Sequence, residues 1–244
     1  RCVTCLRVGA SSARVLLRGV VCQYAPRCQP CHKLVGVDCS PEMIDYARSH
    51  SAHPSISFHE LNLEGDVEPF ISEFGQFDRV YSFFCLHWLA DQAKGLKNIA
   101  RLLKRRGECL IGSCAAHQGS TVWKQLAKMD RWTEYSELLK KFIPQTEGMS
   151  DREMIETMSR WLAGAGLVPS TLEISRAELS DSGTLEDKTG MHLAVVPIIN
   201  FVTEEEKPQL VADVTQLAER IHALNADQSS YKTIIIKACK IAND

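Results

Sequence analysis

Short apolar runs alternate with helix-forming stretches between Lys33 and Gly112, and this alternation constrains the fold more than any other feature. The first run, Lys33–Asp38, is apolar and ends in an acid, which is typical of a buried parallel strand. The sequence Ser-Pro-Glu follows at 40–42 and favours a helix N-terminus. The pattern predicts an α/β fold with a doubly wound, mostly parallel sheet that helices cover on both faces.

The same alternation continues along the chain. We expect Asp91 to open a helix with the basic residues 104–106 in its last turn and Gly107 as its left-handed stop. Three more strands are predicted, at Ile56–Leu61, Phe77–Phe84 and Glu108–Gly112.

Beyond Ala115 the pattern becomes mostly helical and predicts a helical lid insertion at about residues 117–165. One helix is expected to carry an aromatic face formed by Trp123, Leu126, Ala127 and Trp132. Capping boxes at Ser150–Glu153 and Thr203–Glu206 predict two further helix starts. Strands are predicted at Leu172–Ala177 and Tyr231–Cys239.

Charge and hydropathy exclude two classes of protein. Residues 1–37 contain six Lys and Arg and no acid, so the remaining 22 basic and 30 acidic residues give the rest of the chain a charge of −8. An acidic body of this kind lacks the electrostatic footprint for nucleic acid. No apolar run reaches the ~20 residues that a membrane span needs. We therefore expect a cytoplasmic protein with a small-molecule substrate.

Polar residues end the first two predicted strands of the Lys33–Gly112 region. Ligands bind at the carboxyl ends of such strands, and Asp38 could accept hydrogen bonds from both hydroxyls of a ribose. Alternatively it caps the next helix, although Ser40 is available for that role. Asn62 and Leu63 could contact an adenine, or form an ordinary polar turn.

His87 and Trp88 follow the strand predicted at Phe77–Phe84. At the carboxyl end of this strand, a histidine could orient a substrate carboxylate while the indole of the tryptophan supplies an apolar wall. The alternative is a buried histidine with a purely structural role.

Three segments carry a resemblance to a known family: GVDCSPEMIDYA (36–47), FDRVYSFFCLHWLADQ (77–92) and NIARLLKRRGECLIG (98–112). They resemble class I S-adenosylmethionine-dependent methyltransferases, whose fold is Rossmann-like, and most of all the arthropod juvenile hormone acid O-methyltransferase group. The resemblance implies S-adenosylmethionine as cofactor and methyl transfer to the carboxylate of a farnesoid or related lipid acid.

The resemblance also assigns site residues by position. His87 and Trp88 would be catalytic, and Met129 would lie in the lid with the substrate-binding residues. The cofactor-binding residues would be Asp38, Cys39, Met43, Asn62, Leu63 and Phe84. The substrate-binding residues would be Trp88, Trp123 and Trp132. No metal is implied.

The chain departs from the family pattern near its start. Members have a glycine-rich turn after their first strand, whereas the corresponding residues 13–24 contain one glycine, Gly19, and no acid. We therefore expect residues 1–33 to be an atypical segment, disordered or foreign, followed by an N-terminally incomplete methyltransferase-like domain at 34–244. Alternatively the protein has lost cofactor binding and acts as an inactive binding protein.

A zinc site is a further alternative for the same segment. Cys2 and Cys5 form one CxxC pair, and Cys28 and Cys31 form a second. Zinc ribbons use four thiolates in this way, but the glycines that normally follow each pair are absent here.

Overall fold

A single seven-stranded sheet organises the described part of the chain. The computed structural model describes residues 2–6, 34–50, 54–116, 118–178, 189–190, 192–193, 195–224 and 230–241. The strands within these ranges are β1 Cys2–Leu6, β2 Leu34–Asp38, β3 Ile56–Glu60, β4 Phe77–Phe83, β5 Leu103–Ala116, β6 Leu167–Glu178 and β7 Ser230–Lys240.

Helices follow most of the strands. Within the described ranges, the α-helices are α1 Pro41–His50, α2 Glu68–Phe74, α3 Gln92–Leu102, α4 Gln118–Leu126, α5 Ser136–Lys141, α6 Asp151–Gly164 and α7 Lys207–Leu224. The same ranges contain 3₁₀ helices at Leu86–Trp88 and Asp130–Tyr135. Among the described helices, none combines the length and apolar character that crossing a bilayer requires.

The strand order is β3-β2-β1-β4-β5-β7-β6. The pairs from β3 to β5 are parallel, whereas β7 runs antiparallel to both β5 and β6. The predicted α/β architecture is therefore confirmed, with a mixed sheet; the doubly wound arrangement stays a prediction. Because the chain moves outward from β1 through β2 to β3 and then returns to β4, the strand order reverses between β1 and β4, where open α/β sheets bind ligands.

Strand β1 lies within the segment that the sequence analysis set apart. Cys2 pairs with Leu34 of β2, and Leu6 pairs with Phe83 of β4, so residues 2–6 form the middle of the sheet. This differs from a domain that begins at residue 34. The two cysteines of this short run also fit the CxxC pattern of a metal motif, so its strand character is not evident from the sequence. Residues 7–33, including residues 13–24 and the second CxxC pair, lie outside the described residues.

Most predicted helix starts are confirmed by their caps. The Met43 backbone N–H lies 3.3 Å from Ser40 Oγ at the start of α1, and the Asp91 side chain accepts from the Lys94 N–H at α3. Both halves of the Ser150–Glu153 capping box form. Before α7, the Thr203 backbone N–H donates to Glu206 Oε2 and the Glu206 backbone N–H donates to Thr203 Oγ1. Local hydrogen-bonding chemistry therefore sets these starts.

The predicted end of α3 is wrong. The helix ends at Leu102, and residues 103–106 belong to β5 instead of a last helical turn. Arg106, not Gly107, has the left-handed conformation, with φ of 61°. Long-range contacts explain the difference, because Leu103 pairs with Phe77 of β4 and its carbonyl accepts from Lys240 Nζ.

Two hydrophobic cores divide the helices. The sheet core contains residues of β2, β4, β5 and β7 together with Met154, Met158 and Leu162 of α6. The second core, here named the helical cluster, consists of Val122, Trp123, Leu126, Trp132, Leu139, Val196, Ile198, Val202, Leu210, Val214, Leu217 and Ile221. The helices of the predicted insertion at 117–165 therefore belong to different cores. Helix α6 packs on the sheet, whereas α4 packs in the helical cluster with α7, which lies outside the insertion. Trp132 also lies on the second 3₁₀ helix, not on the same helix as Trp123.

Candidate active site

The sheet brings the sequence-predicted residues to one edge, here named the carboxyl edge, where the parallel strands β1–β5 end. Asp38 pairs with Glu60 at the ends of β2 and β3. Phe83 at the end of β4 pairs with Leu6 of β1 on one side and Gly112 of β5 on the other. Segments that are far apart in sequence therefore meet where ligands bind in this class of sheet.

Asp38 is 7% exposed, and its carboxylate holds the turn that follows β2. Asp38 Oδ1 accepts from the Ser40 N–H at 2.9 Å, while Ser40 Oγ caps α1. Since a carboxylate can accept about four hydrogen bonds, the turn contact is compatible with hydroxyl ligands. Cys39 and Met43 are half-buried beside it, on the turn and in the first turn of α1.

The loop after β3 begins with a hydrogen bond from the Leu61 N–H to the Asp38 carbonyl, at 2.9 Å. Asn62 is exposed, and its Oδ1 accepts from the Glu64 N–H at 2.9 Å. Leu63 is buried in the sheet core. The loop is therefore an ordered polar turn, in which Asn62 faces solvent and the Leu63 side chain packs inward.

Phe84 turns the chain away from β4. Its φ of 52° lies in the left-handed region, which is uncommon for a bulky residue. Its N–H donates to the Gly112 carbonyl at 2.8 Å, so the last pairing with β5 fixes the unusual conformation. The first 3₁₀ helix, which carries His87 and Trp88, starts two residues later. Strained backbone at a strand end is a feature of functional sites.

His87 is 5% exposed and is held against β5. The Cys114 backbone N–H donates to His87 Nδ1 at 3.3 Å, and Ser113 Oγ lies 3.4 Å from the same nitrogen. Because a backbone N–H can only donate, Nδ1 carries a lone pair and Nε2 carries the proton of a neutral ring. Burial raises the pKa of the Cys114 thiol to about 11, so this neighbour stays a neutral thiol at physiological pH.

Trp88 connects the carboxyl edge to the helical cluster. Its ring centroid lies 5.3 Å from that of His87, 5.6 Å from Trp123 and 5.9 Å from Phe142. We name the rings of Trp88, Trp123 and Phe142 the aromatic wall. Trp88 therefore links His87 of the carboxyl edge to Trp123 of the predicted lid, and Phe142 is an aromatic neighbour that the sequence did not indicate.

Trp132 is held in a different environment. It is 2% exposed, and its Nε1–H donates to Asp213 Oδ2 at 2.8 Å. The same carboxylate accepts from Gln209 Nε2 at 3.0 Å and lies 3.4 Å from Arg131 Nη1. The indole therefore links the second 3₁₀ helix to α7. Met129 is partly buried against the same cluster.

Several polar residues that fix the edge were missed by sequence reasoning. The Thr146 hydroxyl donates to the Ala115 carbonyl at 2.8 Å, and Gln145 Oε1 accepts from the Gln92 N–H at 3.2 Å. Asn98 of α3 holds the loop after β3. No sequence motif marks these polar residues. Only the position of Asn98 among apolar residues of α3 indicates a tertiary role.

Metal ligation has no support among the described side chains, where no three His, Cys, Asp or Glu residues form a group that could hold an ion. The thiols of the zinc interpretation include Cys28 and Cys31, which lie outside the described residues. The chemistry that can be derived from the described edge is therefore binding, orientation and hydrogen bonding by Asp38, Asn62, His87 and the aromatic wall.

Sequence comparison shows which known proteins this chain is similar to. Residues 17–111 match the family model described as a methyltransferase domain. Juvenile hormone acid O-methyltransferase of Drosophila melanogaster is 30% identical, over 96% of this chain and 80% of that protein. The enzyme of the same name from Bombyx mori is 34% identical, over 50% of this chain but only 43% of its own length.

Solved structures show the fold. Phosphoethanolamine N-methyltransferase 2 of Haemonchus contortus, in complex with S-adenosyl-L-methionine, superposes with a TM-score of 0.53 at 14% identity, covering 99% of this chain and 49% of that one. With the fly relative aligned over nearly the whole chain, the resemblance that the three sequence segments suggested is confirmed. The chain belongs to the class I S-adenosylmethionine-dependent methyltransferases.

Proposed function

We propose that this methyltransferase transfers the methyl group to the carboxylate of a small, apolar, farnesoid-like acid. The observation that carries the proposal is the placement of His87 directly beside the aromatic wall at the carboxyl edge. A polar donor next to an apolar surface suits an acceptor with a carboxylate head and a hydrocarbon tail. The names of the fly and silkworm relatives support the same class of acceptor.

The residues at the edge fit the cofactor. Asp38 would hold the ribose, Asn62 and Leu63 would lie on the adenine side, Cys39 and Met43 would flank the ribose, and Phe84 would lie between cofactor and acceptor. The donor set supports this, because a carboxylate at the end of β2 and an exposed amide at the end of β3 match hydroxyls and an adenine edge. When bound, S-adenosylmethionine supplies an electrophilic methyl group on its sulfonium.

His87 would act as a hydrogen-bond donor and not as a base. A carboxylic acid is already ionised at neutral pH, so no proton has to be removed from the acceptor. The Cys114 N–H fixes the lone pair of His87 on Nδ1, which leaves Nε2–H as the donor of the ring. A donor of this kind orients the acceptor oxygen without becoming charged.

The aromatic wall would bind the hydrocarbon tail and exclude water. We propose Trp88 as the lining residue, with Phe142 beside it, while Trp123, which is 0% exposed, would support the Trp88 ring from behind. Trp132, although assigned to the substrate by the resemblance, would support the wall from the helical cluster, because its indole N–H is bound to Asp213. Catalysis would then come from positioning two bound reactants in a dry site.

One observation favours a second candidate, an inactive homologue that binds a ligand or partner. Residues 13–24 contain one glycine and no acid, in contrast to the glycine-rich turn of the family. A chain without that turn would have weak contacts with the methionine part of the cofactor. The two candidates differ in whether product forms.

Methyl-ester formation from a panel of farnesoid, fatty and aromatic acids tests the proposal. The expected result is turnover that is highest for the farnesoid acid and absent for the matched alcohols. His87→Gln retains a terminal amide N–H near the position of Nε2, whereas His87→Asn places its amide near Nδ1. We therefore expect the Gln variant to keep more activity than the Asn variant. Equal turnover of acids and alcohols would contradict the proposal, and cofactor binding without any product would favour the inactive homologue.

A further inference from the structure

Asn98 is a buried polar residue in the interior of α3. The residue is 3% exposed and lies among the mostly apolar or small buried residues of this helix, which include Gly95, Leu96, Ile99 and Leu102. Asparagine is a poor helix former, and a buried amide is costly unless it is hydrogen-bonded. We therefore expect the Asn98 side chain to make hydrogen bonds to another element of the fold.

The amide nitrogen of Asn98 is fully used on one loop, while its Oδ1 lies 3.4 Å from Arg101 Nη1. Its Nδ2 donates to the Leu63 carbonyl at 2.8 Å and to the Gly65 carbonyl at 2.9 Å. Both carbonyls belong to the loop after β3, the loop that carries Asn62. An amide nitrogen has two hydrogens, so this pair of contacts satisfies its donor capacity.

The other contacts of this loop leave Asn98 as its buried anchor. The loop starts at the Leu61–Asp38 backbone bond, and Glu64 Oε1 accepts from the Asp91 N–H at 3.0 Å on the exposed side. Arg101, one turn after Asn98, pairs with Asp66 of the loop at 3.5 Å and with Glu68 of α2 at 2.9 Å, but its side chain is almost half exposed. Exposed ion pairs contribute little to holding a loop, whereas buried bonds to carbonyls contribute more.

We infer that Asn98 is a positioning residue of the cofactor site. It holds residues 61–65 in the conformation that keeps Leu63 in the core and presents Asn62 at the carboxyl edge. This inference rests on the proposed function, because it takes the loop to be the adenine side of the site. Asn98 acts through the loop backbone and does not contact the cofactor.

Calorimetric titration with S-adenosylhomocysteine tests this role in the full chain. In Asn98→Ala two loop carbonyls lose their donors, and we expect affinity to fall about tenfold or more. Ile99→Ala is the matched control, since it removes buried volume from the next residue of the same helix but no hydrogen bond to the loop. Its affinity should stay within about twofold, although its thermal stability falls. If Asn98→Ala does not fold, Asn98→Ser, which retains one hydroxyl donor, replaces it.

A second readout separates positioning from general destabilisation. In the methyl-transfer assay, Asn98→Ala should raise the KM for S-adenosylmethionine while kcat and the KM for the acid stay near the wild-type values. Wild-type affinity in the Asn98 variant, or an equal loss in Ile99→Ala, would overturn the inference. No binding by the folded wild-type chain would overturn the proposed function, and the inference with it.

Discussion

The hydrogen bond between Trp132 and Asp213 is expected to stabilise the helical cluster without contributing to acceptor binding. Trp132→Phe removes the Nε1–H donor from a buried carboxylate, and a hydrogen bond to a charged group contributes ~1.5–3 kcal/mol. The smaller ring also leaves a cavity that adds about 1 kcal/mol. The free energy of unfolding should therefore fall by about 2.5–4 kcal/mol, which corresponds to roughly 5–15 °C in Tm for a domain of this size.

Urea unfolding of matched variants measures this loss. Trp161→Phe is the control, because it makes the same chemical change at a residue that is only partly buried against the sheet core. Its loss of unfolding free energy should be smaller. Combining Trp132→Phe with Asp213→Ala should show a coupling energy of about 1 kcal/mol or more. A loss below about 0.5 kcal/mol, or a raised KM for the acid at unchanged stability, would refute the structural role of Trp132.

Two further predictions concern packing and charge. A Cβ at Gly95 would lie 2.3 Å from Leu89 Cδ1. Gly95→Ala should therefore lower the unfolding free energy by about 1 kcal/mol, despite the better helix propensity of alanine. Unchanged stability in urea would show that the turn before α3 can shift. The Arg176 guanidinium, more than any other group, lowers the pKa of Asp151 below its ordinary value. The stabilisation of the folded state by the ionised Asp151 is therefore present above the unfolded pKa of about 3.9 and is lost as pH falls through the folded value. Asp151→Asn should thus be less stable than wild type at pH 6, with a difference that shrinks below pH 4; a difference that does not change with pH would contradict this origin.

Local chemistry made part of the fold predictable. The capping box at Ser150 and Glu153 involves residues three apart, so its sequence signature is complete within one helical turn. The carboxyl edge was also predictable, since Asp38 and His87 follow apolar runs whose strand character is evident from the sequence alone.

Contacts between distant segments account for what was missed. The end of α3 depends on pairing of Leu103 with Phe77 and on Lys240 from the last strand, and neither partner is visible in the local pattern. Asn98 was missed for the same reason, because its carbonyl partners lie more than 30 residues earlier. Tertiary partners of this kind override helix propensity and helix stop signals.

The central claim is that the carboxyl edge binds the cofactor through Asp38. Calorimetric titration of S-adenosylhomocysteine into the wild-type chain, Asp38→Ala and the control Asp45→Ala, an exposed acid on the same α1, tests it most directly. We predict binding by the wild type and the control, and a loss of ~1–3 kcal/mol, roughly 5- to 150-fold in Kd, in Asp38→Ala. Equal affinity in Asp38→Ala, or no binding by the folded wild-type chain, would contradict the account.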